Sequence, residues 1–390
     1  MRSFLSYAFR PFFLLNGLFA IVAVAVWVFA LHGVVGDTLP ADIVYWHGHE
    51  MLVGFAMAAI AGFILTAVAT WTGRPAVQGA PLALLVLAWL TGRLAMAISG
   101  VLPAMVVAVL DMLFPVLLVI FVAREVLGAG NRRNYPIVVI TSVLALLNLL
   151  YHASLTGALP LALGADRIAL YLLIHLVLLL ITVIGGRIIP SFSANWLKAQ
   201  GQERLPIMGG LVDRVVIFLT LSTGLFHAVI PLARVTGYLA LAAGLLHGYR
   251  LLRWRGLATR REPLLFVLHA AYAWLPIGYL LLAVAIFTGV IPMTVALHAL
   301  TMGGIAFMVL AVSTRVALAH TGRKLHAARL TVFAYWLLLL AVILRLISAF
   351  AGAQYFALID ASAISWMLAF ALFSWVYWPV LTRPSVEVDS

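Results

Sequence analysis

Eleven histidines in an otherwise very apolar chain are the side chains best suited to chemistry. The sequence has 390 residues, of which 65% are hydrophobic and 9% charged, and it contains no cysteine. Neutral imidazole is the commonest metal ligand in proteins and an axial ligand of haem iron. The lack of cysteine excludes zinc-thiolate sites, iron–sulfur clusters and thiolate-bound haem. The histidines therefore predict haem, copper or non-haem iron.

The densest group of these residues is a short polar run. It reads Trp46-His47-Gly48-His49-Glu50-Met51. On a helix, His47 and His49 would point to nearly opposite sides and serve different sites, whereas on an extended segment they would share one metal. Glu50 is predicted to orient an imidazole or carry protons. The alternative for Glu50 is a solvated carboxylate favoured by the dipole at a helix start.

The elements that must hold these residues are membrane helices. A soluble domain has about 25% charged residues, so lipid must be the solvent here. A spanning helix needs about 20 apolar residues. The runs predict an all-α polytopic transmembrane bundle of about 12 helices, forming a single membrane domain over 1–390, with helices near 11–35, 44–71, 79–100, 102–127, 134–158, 163–189, 212–231, 233–254, 263–289, 292–319, 328–351 and 355–381.

The net charge of +12 fits this topology. Most of the Lys and Arg residues fall at the termini or in the even-numbered loops between the predicted helices, that is, after helices 2, 4, 6, 8 and 10. By the positive-inside rule, these loops and both termini are expected in the cytoplasm. We therefore expect membrane lipid as a partner and no binding to nucleic acid.

Depth in the membrane separates the candidate residues. His47, His49, His227 and His298 are predicted near outer helix ends, and His175 and Asp111 deeper. We expect His175 and His227, with His47, to hold a second metal, and Glu50 or Asp111 to deliver protons in catalysis. The remaining histidines are interpreted as structural, either interfacial (His32, His152, His320, His326) or hydrogen-bonded inside the bundle (His247, His269).

Predicted helices 2 and 10 share a pattern at an offset of 249 residues. His49, Gly54 and the turn 72–74 correspond to His298, Gly303 and the turn 321–323, both turns reading Thr-Gly-Arg. A haem b held between His49 and His298 fits these depths, because the two glycines would let a macrocycle approach the backbone. The cofactor-binding prediction also includes the two turn arginines, Arg74 and Arg323. The alternative for the glycines is ordinary small-residue helix packing.

These residues also carry a resemblance to a known family, the NnrS family. The matching segments are Arg10-Pro11-Phe12-Phe13, 46–51 with Gly54-Phe55, Ala61-Gly62-Phe63, Trp71-Thr72-Gly73-Arg74-Pro75, 185–192 with Asn195-Trp196, 298–303 and 314–323. Two positions depart from the family pattern, Gly48 and Ala194. The resemblance implies a bacterial inner-membrane protein that contains haem and copper and belongs to the nitric-oxide response.

A second likeness is to the catalytic subunits of haem–copper oxidases and nitric-oxide reductases. They also have twelve helices, with haem ligands on helices 2 and 10 and second-metal ligands on helices 6 and 7, although likeness of arrangement is a weak guide to function. We therefore predict binding and reduction of nitric oxide at haem b plus copper or non-haem iron, with an unidentified electron donor. The alternatives are a non-catalytic haem or copper protein, acting as a nitric-oxide sensor or in metal handling, and a secondary transporter.

Overall fold

The computed structural model describes residues 3–40, 42–159 and 164–386, and these residues form helices without a β-strand. Long helices of the described part number twelve. They are α1 Phe9–Leu31, α2 Ile43–Thr72, α3 Ala80–Ala97, α4 Ala104–Gly128, α5 Tyr135–Leu155, α6 Ala165–Ala199, α7 Leu211–Val229, α8 Arg234–Leu252, α9 Pro263–Thr288, α10 Met293–Ala319, α11 Arg329–Ser348 and α12 Tyr355–Thr382.

Eleven helical segments among the described residues are long and apolar enough to cross a membrane. The helix outside that set is α8, whose ends carry Arg234 and Arg250. The all-α polytopic bundle predicted from the sequence is therefore confirmed. Its orientation across the membrane stays a prediction.

The helices divide into two compact units. Unit 1 contains Met1–Leu173, Val316–Arg323 and Ser374–Ser390, and thus α1 to α5. Unit 2 contains Ile174–Arg315 and Lys324–Phe373, and thus α7, α8, α9, α11 and most of α6, α10 and α12.

Local signals in the sequence set the ends of α2. Asp42 precedes the first turn, and its carboxylate accepts a hydrogen bond from the Tyr45 amide at 3.2 Å. This is the usual role of an acidic N-cap. At the other end, Gly73 takes a left-handed conformation with φ +67°, which closes the helix because glycine has no Cβ to strain.

Three of the long helices contain a π-helical segment, which the sequence did not predict. The segments are Glu50–Ala56 in α2, Ile181–Gly185 in α6 and Ala299–Ala306 in α10. A π turn widens the helix and displaces backbone carbonyls from the regular α pattern, and such turns are frequent at functional sites. In α2, the carbonyl of Gly54 accepts a hydrogen bond from the Trp89 indole at 2.9 Å.

Candidate functional site

Unit 1 encloses a group of ionisable and amide side chains that we call the unit-1 cluster. It is built from four consecutive helices, α2 to α5. Each member is at most 6% exposed, although such groups are costly to bury in a membrane bundle. The members are His49, Glu50, Arg93, Asp111, Asn148 and His152.

Both nitrogens of the His49 imidazole lie within hydrogen-bonding distance of an oxygen atom. Nδ1 lies 2.9 Å from Glu50 Oε1, and Nε2 lies 2.8 Å from Asn148 Oδ1. The Asn148 amide is oriented by its own NH2 group, which donates to Asp111 Oδ2 at 2.7 Å. Its oxygen therefore faces His49. Each nitrogen of the His49 ring therefore has an oxygen atom as its partner.

Arg93 joins the two carboxylates of the cluster. One guanidinium nitrogen donates to Glu50 and the other to Asp111. Two glycines make the room for this bridge. A Cβ on Gly54 would lie 2.9 Å from Arg93 Nη1, and a Cβ on Gly92 would lie 2.8 Å from Asp111 Oδ1. The absence of side chains at both positions therefore lets α2 and α4 come close to α3.

Charge balance explains why this network is tolerated inside an apolar bundle. The Arg93 guanidinium pairs with the carboxylates of both Glu50 and Asp111, and the His49 imidazole lies beside each of them. Buried ions are accepted in proteins when they are paired and their hydrogen-bonding groups are satisfied. The cluster thus gives each of its buried carboxylates a cationic and a hydrogen-bonding partner.

Three members of the cluster present ligand atoms of the kinds that metals bind. Ligand atoms of His49, Asp111 and His152 all lie within 4.8 Å of one another. His152 Nε2 lies 2.9 Å from Asp111 Oδ2, and His49 Nε2 lies 3.3 Å from the same oxygen. Two imidazoles and a carboxylate are a donor set that suits copper, zinc or non-haem iron. The residues present therefore fit a single ion, which would take the place of the ring protons between them.

A second group lies in unit 2, where His175 on α6 faces His227 on α7. Nε2 of His175 lies 2.9 Å from Nδ1 of His227. Two imidazoles bound to one ion at about 2.05 Å have nitrogens about 2.9 Å apart at a right angle and about 3.3 Å apart at the tetrahedral angle. The observed spacing, which is that of a hydrogen bond, is therefore close to that of a shared metal. A Cβ on Gly224 would press on the His175 side chain, so glycine there permits the approach. Tyr279 lies behind, with its hydroxyl 3.4 Å from His175 Nδ1.

The structure brings some predicted site residues together and places others elsewhere. His49, Glu50 and Asp111 meet in the unit-1 cluster, and His175 meets His227 in unit 2. His47 stacks on Trp27 with ring centroids 4.3 Å apart, on a different side of α2 from His49, as expected for a helix. His298 belongs to unit 2, and its Nδ1 donates to the Thr294 carbonyl at 2.7 Å.

The predicted cofactor-binding glycines and arginines have protein neighbours. A Cβ on Gly54 would lie 2.5 Å from the Phe19 ring, and one on Gly303 would lie 2.5 Å from Trp274 Cγ. The guanidinium of Arg74 forms a 2.7 Å ion pair with Glu125, and that of Arg323 lies 3.4 Å from the Pro384 carbonyl.

One histidine interpreted as interfacial needs correction. His152 is 1% exposed and contacts Asp111, because α5 turns this residue into unit 1 rather than toward the membrane surface. Arg93 and Asn148 were also missed. The signal for both was a polar residue inside an apolar run, with Asn148 one helical turn from His152. His247 and His269 do form internal hydrogen bonds, to Thr220 and Ser193 at 2.9 and 2.7 Å.

The architecture and the buried cluster define a helical multi-pass membrane protein with potential metal ligands inside its bundle. The NnrS protein family matches residues 3–385, which is nearly the whole chain. The chain therefore belongs to the NnrS family, and membership indicates a role in the nitric-oxide response. The family also suggests binding of a metal or haem. No curated protein matches the sequence.

Proposed function

We propose that the protein binds a redox-active metal ion at the unit-1 cluster and uses it to bind and reduce nitric oxide. The observation that supports this proposal is the His49–Asp111–His152 donor set, buried in a bundle whose family responds to nitric oxide. Copper or non-haem iron suits these donors. Nitric oxide is small and apolar, so it reaches a buried site through lipid without a polar channel.

The contacts favour a single ion over a macrocycle at this position. The space beside Gly54 is filled by the Phe19 ring and the Arg93 guanidinium, which leaves room for an ion among the ligand atoms but not for a macrocycle beside this glycine. A haem face at His49 would have to displace these groups. Haem b between His49 and His298 stays a prediction from the sequence.

Reduction of nitric oxide requires electrons and protons at the site. Two nitric oxide molecules, two electrons and two protons give one nitrous oxide and one water. A bound copper or iron ion supplies the one-electron redox change, and we expect its electrons from a membrane quinol or a small redox protein. Glu50 lies beside the donor set and is held by Arg93. Its carboxylate is placed to receive a proton and pass it inward.

We propose that the His175–His227 pair holds the second metal. The 2.9 Å separation of the facing nitrogens is the property that suits it to this role. A His175→Ala, His227→Ala double variant should lose at least tenfold in the rate of nitric oxide consumption while keeping the metal of the unit-1 cluster. Metal analysis and a nitric oxide electrode measure the two quantities. Full consumption by the double variant would remove this pair from the proposal.

The main test compares His152→Ala with His326→Ala. His152 supplies one proposed ligand and is buried, whereas His326 is exposed. Each purified variant is reconstituted with copper and, separately, with iron. We expect His152→Ala to bind one ion fewer per chain than the wild type and to lose most of its nitric oxide consumption. We expect His326→Ala to match the wild type in both. Ascorbate with a redox mediator provides the electrons.

Other outcomes of this experiment are equally informative. If the bound metal binds nitric oxide without turning it over, the protein is a nitric-oxide sensor rather than an enzyme. A wild-type protein that binds neither metal nor haem would contradict the proposal and direct attention to transport.

A further inference from the structure

In unit 2, a stripe of polar side chains follows one face of α7. Asp213, Thr220 and His227 succeed one another at seven-residue spacing, which is close to two helical turns and places them on the same face. Asp213 lies in the first turn of α7 and His227 in the last turn. At 1.5 Å per residue, the stripe is about 21 Å long. Polar chains of this kind inside a membrane bundle mark paths for ions or protons.

Two neighbouring helices face this stripe with polar residues of their own. Helix α9 contributes Tyr272 and Tyr279, again seven residues apart, and α8 contributes His247 and Arg250, one turn apart. These four side chains are at most 2% exposed. We call the connected set the unit-2 column, and its members are Asp213, Arg250, Tyr272, His247, Thr220 and Tyr279.

The column opens toward the surface at Asp213, whose side chain is 13% exposed. Arg250 Nε donates to Asp213 Oδ1 at 2.8 Å, and Arg250 Nη1 donates to the Tyr272 hydroxyl at 2.9 Å. One guanidinium therefore holds the first two members of the column. The charge pattern of the sequence predicts that this end of α7 faces the cytoplasm.

The π segment of α6 fixes the position of Arg250. The carbonyl of Thr182, which belongs to this segment, accepts a hydrogen bond from Arg250 Nη1 at 2.8 Å. A Cβ on Gly186, directly after the segment, would clash with the Arg250 guanidinium. The irregular turn and the glycine thus give this side chain both a partner and the room that it needs.

The hydrogen bonds in the middle of the column have one direction. Because Arg250 can only donate, the proton of the Tyr272 hydroxyl goes to its other partner, His247 Nδ1, at 2.8 Å. The proton of neutral His247 is then on Nε2, which lies 2.9 Å from Thr220 Oγ1. Thr220 in turn donates to the Val216 carbonyl at 2.7 Å. Each proton therefore points from the Asp213 end toward Thr220.

Beyond Thr220, the column reaches the His175–His227 pair. The Tyr279 hydroxyl is hydrogen-bonded with Thr220, and it lies 3.4 Å from His175 Nδ1. The facing nitrogens of the pair are 2.9 Å apart. Polar side-chain atoms thus follow one another from Tyr272 to the pair.

We infer that the unit-2 column is a proton path from the Asp213 end of unit 2 to the His175–His227 pair. Its destination rests on the proposed role of this pair as the second metal site. Arg250 stays protonated and passes no proton itself. It is a positioning residue, because it holds the Asp213 carboxylate and the Tyr272 hydroxyl on one guanidinium.

Transfer along the column leaves no charge behind. Water at Asp213 brings a proton to the Tyr272 oxygen, and the phenol releases its own proton to His247 Nδ1. His247 releases the proton of Nε2 to Thr220, whose hydroxyl turns from the backbone carbonyl and passes its proton to Tyr279. Each member gains one proton and loses one. Two protons delivered in this way balance the reduction of two nitric oxide molecules.

The first test needs neither metal nor nitric oxide. It follows the proton between His175 Nε2 and His227 Nδ1 by nitrogen NMR of metal-free, full-length protein with isotope-labelled histidine, in detergent. The signal is assigned by its loss from His227→Ala. On transfer to D2O, this proton should exchange about tenfold more slowly in Thr220→Val than in the wild type, because the variant removes one hydroxyl from the path.

The matched control is Thr223→Val on the same helix. The hydroxyls of Thr220 and Thr223 each donate to the carbonyl four residues earlier at 2.7 Å, but Thr223 is not a member of the column. Its variant should exchange as the wild type does. Tyr272→Phe should slow exchange, whereas Tyr335→Phe should not, because the Tyr335 hydroxyl is buried against Thr314 at 2.6 Å.

The second test measures nitric oxide consumption by the metal-loaded protein in H2O and D2O. Thr220→Val should keep its metal content, consume nitric oxide about tenfold more slowly and show a larger solvent isotope effect than the wild type, because proton supply then limits the rate. Thr223→Val should match the wild type.

The possible failures are distinguishable. Equal exchange in Thr220→Val and Thr223→Val overturns the proton path and leaves the proposed reaction untouched. Slower exchange in Thr220→Val together with a wild type that consumes no nitric oxide supports the path and contradicts the proposed reaction. Slower exchange with unchanged consumption overturns delivery of protons to the reaction. Circular dichroism of each variant separates loss of the path from loss of the fold.

Discussion

Arg93 is the residue on which the unit-1 cluster depends most. Its guanidinium is the shared donor for Glu50 and Asp111, and it is 6% exposed. Guanidinium is planar and carries several fixed donors, so it can hold two carboxylates at once, whereas a lysine ammonium acts as a point charge. The position of both carboxylates relative to His49 therefore follows from one side chain.

Replacing Arg93 by Met should destabilise the protein by about 3–5 kcal/mol, because a buried ion pair that loses one partner leaves an uncompensated charge. Arg93→Lys should recover part of this loss. Unfolding in detergent, followed by circular dichroism, measures it.

A second change checks the cause. Glu50→Gln added to Arg93→Met should recover stability by removing one of the stranded charges. If the loss in unfolding free energy of the double variant equals the sum of the losses of the two single variants, charge pairing is not what Arg93 contributes.

Residue chemistry was partly predictable from the sequence. His49, Glu50 and Asp111 were identified because ionisable residues in apolar runs are usually functional. His152 was read as interfacial because only its place near a helix end is visible in the sequence. Which side of α5 faces unit 1 depends on tertiary packing, and so does the pairing of Arg93 with both carboxylates.

At the scale of the elements, the π segment of α2 is what presents the cluster. It starts at Glu50 and ends at Ala56, and the Gly54 carbonyl within it binds the Trp89 indole. Trp89 and Arg93 lie one turn apart on the same face of α3. Trp89 binds the backbone of α2 at Gly54, and Arg93 binds the Glu50 side chain of α2. Hydrophobic periodicity cannot reveal such a turn, because a continuous apolar run is equally compatible with an α-helix and a π-helix.

Gly54→Ala should destabilise the protein by about 1–3 kcal/mol, the usual cost of overpacking, because the added Cβ would meet Phe19 and Arg93. Gly303→Ala should behave similarly against Trp274. The control is Gly248→Ala, whose Cβ would lie 3.8 Å from Pro276 in ordinary contact. Thermal unfolding in detergent compares the three.

Relief of the contact tests the explanation. Phe19→Leu should restore most of the stability lost in Gly54→Ala. An equal loss in Gly248→Ala would show instead that helix propensity or general crowding, rather than the fit at Gly54, sets the stability.

At the scale of the whole molecule, composition alone predicted the architecture. Long apolar runs separated by Pro and Gly give the helix count, since a membrane admits few other spanning structures. The division into two units could not be read in this way, because it depends on which lipid-length helices pack together.

The central claim is that His49, Asp111 and His152 bind a metal ion that reacts with nitric oxide. The most direct measurement is electron paramagnetic resonance of the copper-loaded protein before and after addition of nitric oxide. We predict a Cu²⁺ signal with imidazole nitrogen coupling that falls by about one spin per chain in His152→Ala, is kept in His326→Ala and is altered by nitric oxide. Identical signals in all three proteins, or no response to nitric oxide, would contradict the account.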